Sequence, residues 1–529
     1  MERKVMKKTL ILGAALLLLI PALTAFGGQR KVLKVGVQMF ENKIWDPAAS
    51  YNNRTAQYHI NLHDGLVRLS TMEVPYKVLP ALATSWKEIS PTVTEFKLRQ
   101  GAKFWDGTYI TAEDVKWSLE RSINQDHPAY SSAFGRVLYN FEKVEIVNAS
   151  TVRVHNRNPD PLKYVMLAQT TSAILSKKAF DAAASPEDFF TSPVGAGPYR
   201  IADFKQDSYV KFESWDGYWG EKPPLEELWY YSIKEPTARI TALVNGEVDF
   251  IVDIPPDMKS AMDGKKGIKS QGVTLDMFYA WMFNMTRHPL KDQRIRKAIS
   301  LAIDRDALNQ GLYGGKGVTP TSHHYPGRTG YIPGWKIYEY NPDKARQLLK
   351  EANYDGSVVE LSDCHYYYLY NDLATQAMAK MLEKVGINAK VVTYGPGSWP
   401  PKDPVEKYNM VRCWSNPMYF PDMMGGVDPH WAPSSWPYRQ GQQPVIAEGG
   451  ELHELYMGLY KKARFDPVPE RRKRYYKQFV EFLEDEVTPF IIGYQPHLFF
   501  GMDEDIVFEA PANYRPYTMP FRAGDVTFK

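Results

Sequence analysis

His453-Glu454 begins the pattern of a helical zinc site, in which two histidines four residues apart hold the metal and the glutamate acts as base. Position 457 is Met457, so the second histidine is missing. Gly195-Ala196-Gly197 begins a dinucleotide fingerprint, but Pro198, Tyr199 and Arg200 follow and the third glycine is absent. Gly314-Gly315-Lys316-Gly317 lacks phosphate-loop spacing, and no Gly-x-Ser-x-Gly elbow occurs. His323-His324 and His430 could ligate metal. Adjacent histidines on an extended chain point to opposite faces, so we read them as loop histidines of a polar surface. No catalytic residue, metal or cofactor is assigned. The balance of these residues favours binding over catalysis.

Composition narrows the partners. The chain has 529 residues, room for more than one domain. Its 64 basic and 61 acidic residues give a net charge of +3. Nucleic acid wants a strong basic excess, so it is not expected as a partner. Aromatic residues make up 13% of the chain, with 34 Tyr and 13 Trp. They fit either large cores with surface tyrosines or a ligand cleft walled by rings.

Arg3, Lys4, Lys7 and Lys8 precede an apolar stretch from Leu10 to Leu23, and Ala25-Phe26-Gly27 follows. This is the pattern of a secretory signal peptide over residues 1–27, with the mature chain starting near Gly28; the alternative is an uncleaved membrane anchor, for which the apolar stretch is short. No cysteine lies near the cleavage site, so no lipid anchor is expected. An unanchored binding protein would diffuse away without an outer barrier, which points to the periplasm. Cys364 and Cys413 are the only cysteines, and export permits either a bridge or two buried thiols.

The elements that must position any site alternate between strand and helix. Val32–Val37 reads as the first strand and Thr94–Leu98 as another. Thr111-Ala112-Glu113-Asp114 reads as a capped helix start before Val115, Ser118 and Leu119. Arg200–Trp215 alternates again, with the β-type residues Tyr209, Val210 and Phe212. Pro236 opens a helix that Asn245-Gly246 stops, and Val248–Val252 reads as a buried strand. A second region begins near Met285. Ile295, Ala298, Ile299, Ala302 and Ile303 share one helix face. Asn341-Pro342 caps the next helix. Val358–Ser362, Asp372–Val385 and Ile387–Thr393 read as strand, helix and strand, a parallel crossover unit. Leu452–Glu484 is helical, Val487–Ile492 returns to β-type residues, and Ala510–Phe521 reads as irregular but packed.

Several segments together resemble the family 5 extracellular solute-binding proteins, the dipeptide, oligopeptide and nickel-binding group. They are Pro80-Ala81-Leu82-Ala83-Thr84-Ser85-Trp86, then Phe96 to Asp106-Gly107, Thr111 to Val115, and Gly195-Ala196-Gly197-Pro198-Tyr199. Arg239 to Phe250 and Asn284 to Arg305 continue the series in the family's order. The resemblance implies an α/β fold of two lobes joined by a hinge, with the chain crossing between them twice. Lobe one would hold residues 28–285, with an inserted subdomain near 66–190. Lobe two would hold 286–490, and 491–529 would return to lobe one. It also implies a monomer that captures a small solute between closing lobes and hands it to the permease subunits of an ABC importer in the inner membrane.

Peptide binders of this family anchor the ligand amine on an aspartate three residues after a tryptophan. The matching tryptophan looks like Trp414, and three residues on stands Pro417. Asp422 or Asp428 would then have to take that role, or the ligand would be a sugar-like solute stacked on aromatic rings. Peptides or amino-acid derivatives are the leading class, with oligosaccharides the alternative. The contact residues expected are Trp414, Trp281, Tyr494, Met39, Asp422 and Asp428. The rival readings are a secreted carbohydrate-active enzyme and a sensor subunit that reports to a membrane receptor.

Overall fold

A computed structural model of the chain describes residues 31–38, 44–49, 53–124, 126–130, 138–326, 328–364, 368–394, 410–432, 443–511 and 519–529. The segment read as a signal peptide, and Met39, lie outside the described residues. No described helix is long and apolar enough to cross a membrane.

The first of two large sheets has seven strands. Their spatial order is Ile268–Thr274, His497–Asp503, Phe250–Ile254, Val32–Val37, Glu227–Ser232, Tyr209–Ser214 and Tyr199–Lys205. Val32–Val37 is central and runs parallel to both neighbours. Leu33, Val35 and Val37 are fully buried on one face, which is why the alternation in sequence marks a strand. The helix Pro236–Val244 starts on proline and stops before Gly246, whose φ is +71°. Asp249 then ties the incoming strand to the first one, since its Oδ2 accepts the Lys34 N–H at 2.7 Å.

The second sheet has five strands, in the order Ala389–Tyr394, Val359–Cys364, Met410–Pro417, Met277–Phe283 and Phe490–Tyr494. Val359–Cys364 and Ala389–Tyr394 are parallel and are joined by the helix Asn371–Lys384, the crossover predicted from sequence. A four-stranded antiparallel sheet forms the subdomain, in the order Ala83–Ser90, Val93–Leu98, Thr151–Asn156 and Phe141–Asn148. The helix Ala112–Glu120 packs on it behind a reciprocal cap between Thr111 and Asp114. Gly107 turns the chain before that helix at φ +82°. Gly197 lets the backbone pass Leu62, where a Cβ would meet the Leu62 carbonyl oxygen at 2.4 Å.

The chain changes sheet one strand earlier than Met285. Met277–Phe283 is buried at every position and belongs to the second sheet. A strand covered on both faces has no alternation to mark it, so periodicity misses it. The outward crossing is therefore Thr274–Met277 and the return is Tyr494–His497. The two lie side by side, with Leu275 N–H donating to the Pro496 carbonyl at 3.0 Å. The tail packs back on lobe one, where Asn61 Nδ2 donates to the Met519 carbonyl and the Phe521 N–H donates to Asn61 Oδ1.

Buried arginines pin strand ends to helices. Arg239 is 1% exposed and donates to four carbonyls, those of Ile233, Lys234, Val252 and Asp253. Arg296 does the same for Leu290, Lys291, Val487 and Thr488. Burial pushes Arg296 down only to about 10, so it stays charged. Arg305 reaches the Ile492 carbonyl at 2.6 Å from the helix Arg305–Tyr313. Each guanidinium replaces lost water with carbonyl oxygens, which is the condition for burying it. Arg296→Met leaves those carbonyls unpaired and lowers unfolding stability by about 3–5 kcal/mol. Urea denaturation followed by circular dichroism reads this loss, and a change below about 1 kcal/mol would contradict the role.

Candidate functional site

The carboxyl ends of the parallel strands in both sheets meet across the crossings. In lobe one, Val32–Val37 ends at Gln38, Glu227–Ser232 leads to Lys234 and Glu235, and Phe250–Ile254 leads to Pro255. In lobe two, Val359–Cys364 leads toward Tyr368, Leu369 and Tyr370. A cavity of about 310 Å³ lies between them, lined by Gln38, Lys234, Glu235, Asp253, Pro255, Met258 and Leu498 on one side. Tyr368, Leu369, Tyr370, Asp372 and Leu373 line the other. Ligands of open α/β sheets bind outside such strand ends, at the point where connections diverge to either side. Here the central strand has a parallel neighbour on each side, which makes that point.

Backbone geometry at the lip is held by force of hydrogen bonding. Asp253 has φ +58°, a left-handed conformation costly for a residue with a Cβ. Arg239 Nη2 holds the Asp253 carbonyl at 3.0 Å. Across the cavity, the Tyr370 hydroxyl donates to Asp257 Oδ1, a bond between the lobes. Burial, then the Asp257 carboxylate, pushes the Tyr370 hydroxyl well above its ordinary value, so it keeps its proton. Tyr370 begins a run of tyrosine rings that leads back to the crossings. Tyr370 and Tyr313 are 5.6 Å apart, Tyr313 and Tyr494 5.4 Å, and Tyr494 and Tyr279 5.2 Å. At the outward crossing, Arg328 pairs with Asp276, yet burial still raises the Asp276 carboxyl to about 6.

Trp281, Tyr494, Asp422 and Asp428 have described side chains, and none of the four lines this cavity. Trp281 is fully buried in the second sheet, and its Nε1 donates to Thr375 Oγ1 at 3.1 Å, so it packs the sheet on a helix. Tyr494 is also fully buried and stands behind the cavity in the tyrosine run. Asp422 caps the turn at Met424 and pairs with Arg472 at 2.6 Å. Asp428 pairs with Arg464 at 2.8 Å and accepts from the Tyr460 hydroxyl at 2.9 Å. Both carboxylates have partners inside the protein. The Trp414 backbone pairs with Ala280 in the second sheet, while its side chain, like those of Cys364 and Cys413, lies outside the described residues. Sequence reasoning missed Lys234, Glu235, Asp253, Tyr368, Tyr370 and Asp372. The signal available was position, since Tyr368 to Tyr370 lies in the link between a strand end and a helix start, and Asp372 lies in the first turn of that helix.

The histidines are buried rather than part of a polar surface. His323 is 2% exposed, with Nε2 3.2 Å from the Gly426 carbonyl. His324 is 6% exposed and contacts Ser322 and the Ile332 carbonyl. Among the described residues no three His, Cys, Asp or Glu side chains gather as a metal site. A second cavity, of about 260 Å³, is lined by Arg68, Thr71, Gln169, Arg522 and Asp525. It is confined to lobe one and its subdomain, so closing the lobes would not enclose it.

The family model for bacterial extracellular solute-binding proteins, family 5 middle, matches residues 77–438. The chain belongs to this family. The dipeptide-binding protein of Escherichia coli K12 is 31% identical over 349 residues, 61% of this chain and 64% of that protein. The match thus spans just under two thirds of that relative. The glutathione-binding protein GsiB of the same strain is 28% identical over 401 residues, 75% of each chain. The periplasmic binding protein DppA of Helicobacter pylori, solved with the peptide STSA, superposes with a TM-score of 0.83 at 20% identity. It covers 94% of this chain and 98% of that one, which shows the two-lobed α/β fold expected from sequence.

Burial holds His323 neutral, down to about 3 from an ordinary 6.5. A lowered folded value gives stability that is present above pH 6.5 and lost as pH falls toward 3. At pH 4 the loss from this group reaches about 3 kcal/mol. His323→Gln cannot take the proton, so its unfolding free energy falls less steeply between pH 6.5 and 4. Equal slopes for the two proteins would refute the assignment.

Proposed function

We propose that this family 5 protein captures a peptide-like solute in the cavity between its lobes and delivers it to the permease subunits of an ABC importer in the inner membrane. The observation that carries the reading is the cavity itself, built from the parallel-strand ends of both sheets. Its chemistry suits a short zwitterionic chain. Lys234 offers a cation for a carboxylate, while Glu235, Asp253 and Asp372 offer anions for an amine. Tyr368 and Tyr370 supply ring faces and hydroxyls for side chains and amides. The relatives named for dipeptides and for glutathione support the same ligand class.

The reading includes export through the cleavable signal peptide, residence in the periplasm without a lipid anchor, and action as a monomer. Solute would be bound and released unchanged, with no catalytic step. Capture between lobes makes affinity depend on burying the ligand and shutting out water, and the closed shape then presents the docking surface to the importer.

A thermal-shift screen of the mature protein tests the ligand class. Dipeptides, oligopeptides, glutathione, amino-acid derivatives and oligosaccharides form the panel. A ligand at about 100 times its Kd stabilises the folded state by about 2.7 kcal/mol. We expect the melting temperature to rise with one or more peptides, and Tyr370→Ala to remove at least half of that rise. A rise with oligosaccharides alone would overturn the peptide reading, and turnover of a glycoside would replace binding with catalysis.

A further inference from the structure

A buried ionic contact joins the lobes through residues that do not line the solute cavity. Arg464, in the helix His453–Phe465 of lobe two, is fully buried. Its Nη1 and Nη2 donate to Asp160 Oδ1 and Oδ2 at 2.5 and 3.0 Å. Asp160 follows the subdomain strand Thr151–Asn156 and is 1% exposed. The Tyr139 and Tyr460 hydroxyls meet beside the pair at 2.6 Å, one from each side.

The subdomain is bound to lobe one, so this contact spans two bodies. Asp46, just beyond the first strand, takes a bidentate bond from Arg121 of the subdomain at 2.5 and 2.9 Å. The Trp45 and Asp46 N–H groups donate to the Phe190 carbonyl, and the Ile174 N–H donates to the Asp64 carbonyl. Among the described residues, the chain passes between the lobes at Thr274–Met277 and Tyr494–His497. Rotation about those crossings, with the subdomain carried by lobe one, parts Arg464 from Asp160.

Each half keeps partners when they part. Arg464 Nε retains Asp428 Oδ2 at 2.8 Å within lobe two. Asp160 retains the Leu162 N–H at 2.8 Å and Asn140 Nδ2 at 3.0 Å within the subdomain. These remaining partners lower the cost of parting the pair, because neither charge is then left without a hydrogen bond. We infer that Asp160 and Arg464 form a releasable latch that favours the closed arrangement, making them positioning residues for capture that touch no solute. The inference rests on the two-lobed capture reading above. A latch of this kind raises the closed fraction of the empty protein, and apparent affinity scales with that fraction.

Small-angle X-ray scattering of the solute-free mature protein tests it. A compact chain of this size has a radius of gyration of roughly 23 Å. Asp160→Asn removes the charge but keeps the shape, and Arg464→Lys keeps the charge but loses the two-pronged fork. Arg472→Lys is the control, because its partner Asp422 lies in the same lobe. Near-ultraviolet circular dichroism establishes that each variant is folded. We expect both latch variants to scatter with a larger radius than wild type and the control to match wild type. An unchanged radius in the latch variants, or an equal increase in the control, would overturn the latch. The readout uses no solute, so a failed ligand screen and a failed latch are separate results.

Discussion

Buried positive charge is the constraint on which this structure turns. Arg121, Arg239, Arg296, Arg305 and Arg464 are each at most 4% exposed. Removing a guanidinium from water is expensive unless oxygen atoms meet nearly every N–H. The fold meets that demand in two ways. Arg239 and Arg296 take backbone carbonyls at or beside strand ends, Arg305 takes that of Ile492 within Phe490–Tyr494, and all three thereby fix where helices sit on sheets. Arg121 and Arg464 take carboxylates and thereby fix one substructure against another. The rigid parts and the joints between them come from the same side chain with different partners.

Arg239 links that constraint to function. The carbonyls it holds belong to the ends of two parallel strands, and these ends form one lip of the cavity. The strained Asp253 backbone persists because the guanidinium over-determines it. The opposite lip is carried by a separate sheet and meets the first through the Tyr370–Asp257 bond. Two preformed lips on two bodies suit closure over a solute, since little ordering is left to do within either lip. The tyrosine run from Tyr370 to Tyr279 packs the space behind the cavity and beside the crossings, where apolar ring faces slide more easily than fixed hydrogen bonds.

Local signals in the sequence carried much of the scaffold. The strand at Val32–Val37, the cap at Thr111–Asp114 and the crossover around Asn371–Lys384 were legible because each depends on neighbours in sequence. Met277–Phe283 was not, because a strand buried on both faces shows no period. The site was harder to read for a similar reason. Lys234, Asp253 and Tyr370 come from three separate links, and only the meeting of two sheets brings them together. Trp281 attracted notice as a residue just before the expected crossing, and Asp422 and Asp428 as acids a few residues past the expected anchor position; each has a partner within lobe two.

Hydrogen exchange measured by mass spectrometry, with and without a saturating dipeptide mixture, tests the central claim most directly. The account predicts that exchange slows together in residues 234–258 of lobe one and 368–373 of lobe two, with no change around Arg68 and Arg522. Protection confined to a single lobe, or centred on the cavity at Arg68 and Arg522, would contradict it.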